Sequence, residues 1–192
     1  GQHSEKVRAH LMDTAGHLFA QQGIDVLSNR AIAQAAGAAN HSHFGGREGL
    51  LTAMIERHLG TLEAARAHHL ERLTPDTSVH DALASHLEPW LTVYAILPTP
   101  SWRSRFFAKA ITTPQAETAI RTYTKNAQLQ RLVQDHIPEL ASLPTDVLAF
   151  RARAVAALAN ATSARLEAKD PAMEHPENWR RVLTMSLSLI HI

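Results

Sequence analysis

The spacing of the apolar residues constrains the fold more than any other feature of the sequence. They recur at intervals of three and four along almost the whole chain, and nowhere do they alternate with period two over several residues. That pattern specifies helices and leaves no room for a sheet. Val7, Leu11, Ala15, Leu18 and Phe19 share one face of a helix predicted from Ser4 to Gln22, and Gly23 stands where a left-handed C-cap is wanted. Ser28 is a good N-cap for a second helix, with Ile32, Ala35 and Ala36 inward and Gly37 at its end. Ala38 to Phe44 is a third, very short helical segment. A long helix then begins near Glu48 and continues through Leu50, Leu51, Met54, Ile55, His58, Leu59 and Leu62 to about Leu73, long enough to bridge two lobes.

Prolines punctuate the rest. Thr74-Pro75-Asp76 ends the long helix, and the next stripe is Val79, Leu83, Leu87, Trp90, Leu91 and Tyr94. Ser101 can cap a helix carrying Trp102, Phe106, Phe107 and Ala110, and Pro114 suits the first position of a helix reaching Gln134. His136 to Pro144 reads as a loop, Asp146 to Ala168 as an alanine-rich helix, Asp170 to Pro176 as a loop and Glu177 to Ile192 as the last helix. The expectation is an all-α protein of about nine helices. It divides into a three-helix lobe with a helix-turn-helix over residues 1–48 and a larger helical lobe over 49–192.

Composition narrows the function classes. With no cysteine there is no disulfide framework and no thiolate ligand or nucleophile. No apolar run is long enough for a membrane span and no signal peptide is visible, so the expected location is cytoplasmic, with no membrane partner. The thirteen histidines include no HExxH pattern, and adjacent pairs such as His68-His69 point too far apart on a helix to chelate, so no metal site is expected. No GxSxG elbow or glycine-rich phosphate loop occurs, and Gly45-Gly46 reads as a turn. The expectation is a protein that is not an enzyme and carries no cofactor.

The net charge of +1 does not advertise nucleic-acid binding, so any such reading rests on local charge. Between Val26 and Arg47 there is no acidic residue, while Arg30 and Arg47 are basic. Ser28, Asn29 and Arg30 at a helix N-terminus suit a phosphate, as does Arg47. A helix fits the major groove, where Asn40, His41, Ser42 and His43 could all hydrogen-bond to base edges. The plainer alternative is a three-helix packing unit with those side chains solvated.

The residues of this region carry a resemblance. Leu18-Phe19-Ala20 with Gly23, Ile32-Ala33 with Ala36-Gly37, His43-Phe44, Gly45-Gly46, Arg47-Glu48 and Leu50-Leu51 occur in the order and spacing of the tetracycline-repressor (TetR) family of bacterial transcription regulators. The likeness covers roughly residues 5–60; beyond it only helical character and length agree. The resemblance implies a homodimeric regulator, taken here as a repressor, that binds double-stranded operator DNA of pseudopalindromic sequence. It also implies release by a small-molecule effector, which remains unidentified. It implies a pocket walled by Trp90, Tyr94, Trp102, Phe106 and Phe107, residues that core packing would equally explain. Arg103, Arg105 and Arg121 could meet an anionic effector or simply face solvent. The resemblance further implies a dimer interface on the last two long helices through Ala154, Leu158, Ala161, Leu183, Leu187 and Ile190, a stripe that could instead pack within the chain.

One departure from the family pattern stands out. Gly37 and His43 enclose only Ala-Ala-Asn-His-Ser, less than two turns of helix, where the family has a longer segment with a tyrosine just before its HF pair. Either the recognition helix is shortened or residues are missing between Ser42 and His43. The alternative to an operator-binding regulator is therefore a helical protein-interaction module, or a regulator whose reader has degenerated. Sequencing the gene across the codons for Gly37–Phe44 separates the two origins of the short segment. Additional codons are the expected result, and an unbroken reading of the present residues would establish a shortened helix.

Overall fold

A computed structural model describes residues 1–23, 28–36, 43–92, 102–124, 128–168 and 181. Among these residues there are nine helices and no strand: α1 (Gln2–Gln22), α2 (Asn29–Ala36), α3 (Arg47–Glu71), α4 (Val79–Thr92), α5 (Arg103–Ala110), α6 (Pro114–Thr124), α7 (Gln128–His136), α8 (Pro138–Ala141) and α9 (Thr145–Glu167). The all-α expectation holds. Most of the expected third segment (38–42) and all but Arg181 of the last helix lie outside the described residues. Of the helix expected from Pro114 to Gln134, α6 and α7 cover all but residues 125–127, which lie outside the described residues. One expectation is corrected. The stretch expected to be a loop between His136 and Pro144 contains α8, because Pro138 opens that helix at its first position, where a missing N–H costs nothing.

Local chemistry explains the boundaries. The Ser28 hydroxyl accepts from the Ala31 N–H at 3.2 Å, and the Ser78 hydroxyl accepts from Asp81 N–H at 3.1 Å, each satisfying an otherwise orphaned amide. Thr113 does the same for α6 through Ala116 N–H. Gly23 ends α1 as expected, its N–H donating to the Phe19 carbonyl at 2.9 Å. Its φ of 97° and ψ of 160° are not the left-handed helical pair that was expected, but a conformation still open only to glycine.

Two buried clusters hold the helices, and α3 belongs to both. The first joins Ala15 and Phe19 of α1, Ile32 of α2, Leu51, Met54 and Ile55 of α3, and Trp102, Phe106 and Phe107 around α5. The second joins Leu62 of α3 to Leu83 and Leu87 of α4, Leu132 and Ile137, Leu140 of α8, and Val155 and Ala159 of α9. Each large side chain buried this way contributes about 1.5–3 kcal/mol. The bridging role expected of the long helix is thus its packing: its first half seals one core and Leu62 enters the other. In the first core the Trp102 ring lies against α1 at Gly16. A Cβ there would come within 2.1 Å of the ring, so only glycine permits the approach.

His58 is 4 % exposed in the first half of α3, and its ring stacks on Phe107 with centroids 3.9 Å apart and planes 13° from parallel. Burial, and then the nearby guanidiniums of Arg103 and Arg66, pull its pKa from 6.5 down to about 3. The folded protein therefore keeps this imidazole neutral where the unfolded chain has already taken up a proton. Stability is greatest above the unfolded pKa and falls as pH drops from about 6.5 towards 3. Urea unfolding across that range should show the native protein losing roughly 3 kcal/mol more than a His58→Leu variant between pH 6.5 and pH 4. Parallel curves would show that His58 does not carry the acid sensitivity.

Candidate nucleic-acid interface and the lobe behind it

The first part of the candidate interface is the start of α2. Ile32, 1 % exposed, pins this short helix to the core, so its opposite side and its capped N-terminus face outward. Ser28 and Arg30 are exposed there, and the first turn holds no acid. Amides at a helix N-terminus with an exposed arginine beside them suit a phosphate oxygen. Of Asn29 only the backbone is described, and the expected base readers Asn40, His41 and Ser42 lie outside the described residues.

The second part is the turn from His43 to Glu48. Gly45 and Gly46 have φ of 71° and 104°, and this pair of positive angles turns the chain sharply into α3. His43 is half-buried, and its carbonyl accepts a hydrogen bond from the Arg8 guanidinium. The same guanidinium lies over the Phe44 ring, 4.2 Å from its centroid. Arg8 thus ties the end of the expected recognition segment to α1. Arg47 opens α3, half-buried, with exposed Glu48 beside it in the first turn. Lys6 is exposed on the first turns of α1. Arg8 was not among the residues singled out in the sequence, because its partners lie 35 residues away and no local pattern links them.

Behind this surface, Trp102, Phe106 and Phe107 are brought together as core. Trp102 meets Phe106 edge-on at 5.9 Å, and Phe106 lies 6.0 Å from Phe19 of α1. Trp102 and Phe106 also line a small cleft of about 10 Å³ with Met54, Arg57, His58, Thr61 and Arg103, whereas Phe107 is turned onto His58. That is room for about one water molecule. The guanidiniums of Arg57 and Arg103 stand 5.5 and 5.9 Å from the indole. Arg57 pairs with Asp13 of α1 at 2.9 Å. Arg105 and Arg121, suggested above as anion contacts, are engaged within the chain: Arg105 with Glu167, and Arg121 with Glu117 one turn before it. Only the backbone of Trp90 is described, and Tyr94 lies outside the described residues.

On α9, Ala154 and Ala161 are exposed and Leu158 is half-buried; Leu183, Leu187 and Ile190 lie outside the described residues. Phe150 is 67 % exposed. With Ala154, Ala157 and Ala161 it forms an apolar stripe at spacings of four, three and four along the outer side of the helix, while Val155 and Ala159 face the core. The sequence reading missed Phe150, although its spacing to Ala154 and Ala161 is the signal that would have found it.

No protein-family model matches the chain, and no curated protein matches it in sequence. Solved structures do match in shape. The TetR family transcriptional regulator PfmR of Thermus thermophilus superposes with a TM-score of 0.63 at 21 % identity, over 94 % of this chain and 97 % of that one. A bacterial regulatory protein in the tetR family from Rhodococcus RHA1 superposes with a TM-score of 0.63 at 18 % identity, over 96 % and 97 %. The chain has the fold of these regulators along nearly its whole length. The geometry at the turn also carries a prediction: Arg8→Ala should cost about 1–2 kcal/mol in urea unfolding and speed amide exchange at Phe44–Gly46. An unchanged midpoint and unchanged exchange would show that Arg8 does not anchor the turn.

Proposed function

We propose that this chain is a TetR-family transcriptional regulator that binds a pseudopalindromic operator as a homodimer and is released by a small-molecule effector, acting as a repressor. The observation that carries the proposal is the shared fold, which extends over both the reader lobe and the helices behind it. The arginines Arg30 and Arg47 in a stretch with no acid from Val26 to Arg47 add to it. In this reading residues 1–48 read DNA and 49–192 bind the effector and the second subunit. Ser28, Asn29, Arg30 and Arg47 hold phosphates, and Asn40, His41, Ser42 and His43 face the bases. A two-fold dimer through the outer side of α9, with Phe150 added to Ala154, Leu158 and Ala161, places two readers over two successive major grooves.

The effector would bind where Trp90, Tyr94, Trp102, Phe106 and Phe107 gather. It acts only if its affinity differs between the two positions of the readers. The protein works in the cytoplasm in this account, and α3 is the element that carries the shift, since it packs in both cores. One observation favours a second reading: the segment between Gly37 and His43 is five residues long, which suits a reader that no longer recognises bases.

Selection of duplexes from a randomised pool, followed by anisotropy titration at two salt concentrations, tests the proposal. Saturable binding should weaken steeply as salt rises, and Arg30→Ala should reduce the slope of log K against log salt by about 1. Failure to enrich any duplex would favour the degenerate reader or a protein-binding module.

A further inference from the structure

Helix α5 lacks a cap of its own. Trp102 occupies its N-cap position and makes no side-chain cap hydrogen bond, and the first turn contains no acid. The amides of that turn are instead held from the far end of α9. The Glu167 side chain is 2 % exposed; one carboxylate oxygen accepts from Ser104 N–H at 2.9 Å, and the other accepts from Arg105 N–H at 3.0 Å and from Arg105 Nε at 3.3 Å. A carboxylate in that position does for α5 what an N-cap serine does for α2, and adds a charge that complements the helix dipole. An eight-residue helix has little stability alone, so its position depends on what grips it.

What α5 grips in turn is α1. The Trp102 ring seats on Gly16, Phe106 meets Phe19, and Lys109 Nζ donates to the Ala20 carbonyl at 2.6 Å in the last turn of α1. At its other end α1 holds the His43–Phe44 turn through Arg8. The chain of contacts therefore runs from the C-terminal end of α9 to the candidate reader without passing through α3.

We propose that Glu167 is a positioning residue for the reader: by capping α5 it couples α9, whose outer side carries the exposed Phe150 stripe, to the placement of α1. The coupling of α9 to α1 stands on these contacts alone; its meaning for DNA rests on the function proposed above. An event on the outer side of α9, such as docking of a second copy, then reaches α1 through the packing of α9 on α5, which this buried carboxylate completes.

Hydrogen exchange on the full chain tests this without DNA. Glu167→Gln keeps the shape and one acceptor but removes the charge; Glu167→Ala removes the cap. The expected result in Glu167→Ala is roughly tenfold faster exchange at Ser104 and Arg105 and a rise of the same sense along α1. Glu167→Gln should lie between it and the native protein, and α4, α7 and α8 should not change. Faster exchange in α5 with α1 untouched would overturn the coupling, and so would an even rise over the whole chain, which marks general loss of stability. Should Glu167→Ala fail to fold, the Glu167→Gln pattern decides by the same two criteria. A protein that shows the localised pattern but enriches no duplex would keep the latch and lose the operator, so the two failures are distinguishable.

Discussion

The placement of the candidate interface depends on how α5 is buried. Eight residues long and without a cap of its own, it is held because Trp102, Phe106 and Phe107 are removed from water between α1 and α3, and because a buried carboxylate 62 residues away takes up its free amides. The Trp102 ring lies against a glycine in α1, where no Cβ would fit, and that contact sets how closely the first helix approaches. In the proposed coupling, loosening α5 weakens the hold on α1, and with α1 the Arg8 anchor of the His43–Phe44 turn. The candidate interface is thus positioned by a hydrophobic contact well behind it.

What the sequence made legible was local. The Ser28 cap, the Gly45-Gly46 turn and the long helix beginning near Glu48 all follow from neighbours within a few residues, and the structure places them as expected. The features it concealed join distant parts of the chain. Glu167 meets Ser104 across 63 residues and Arg8 meets His43 across 35, and neither pairing leaves a periodic trace. The Pro138 helix was concealed for the opposite reason: proline is both a loop marker and a good first residue of a helix, and composition alone does not choose between them. The aromatic residues were ambiguous in the same sense. A stripe suited to a ligand wall is also suited to a core, and of the described members Phe107 is committed to stacking on His58 while Trp102 and Phe106 border a small cleft.

The electrostatics are similarly local. A chain with a net charge of +1 would not be drawn to DNA by its overall field, yet the stretch of sequence from Ser28 to Arg47 carries arginine and no acid. Deeper in the molecule, charge is compensated by pairing: Arg57 by Asp13, Arg66 by Glu63, Arg105 by Glu167. His58, close to the guanidiniums of Arg103 and Arg66 and stacked on an aromatic ring, is kept neutral instead. Arg30, by contrast, faces solvent at the helix end where a phosphate would bind.

The central claim is that two copies of this chain present their readers to one duplex. Hydroxyl-radical footprinting on a duplex recovered by selection tests it most directly. The account predicts two protected patches on one face of the DNA, about one helical turn (roughly 10 base pairs) apart and related by two-fold symmetry. A single patch, or protection with no helical phase, would contradict it.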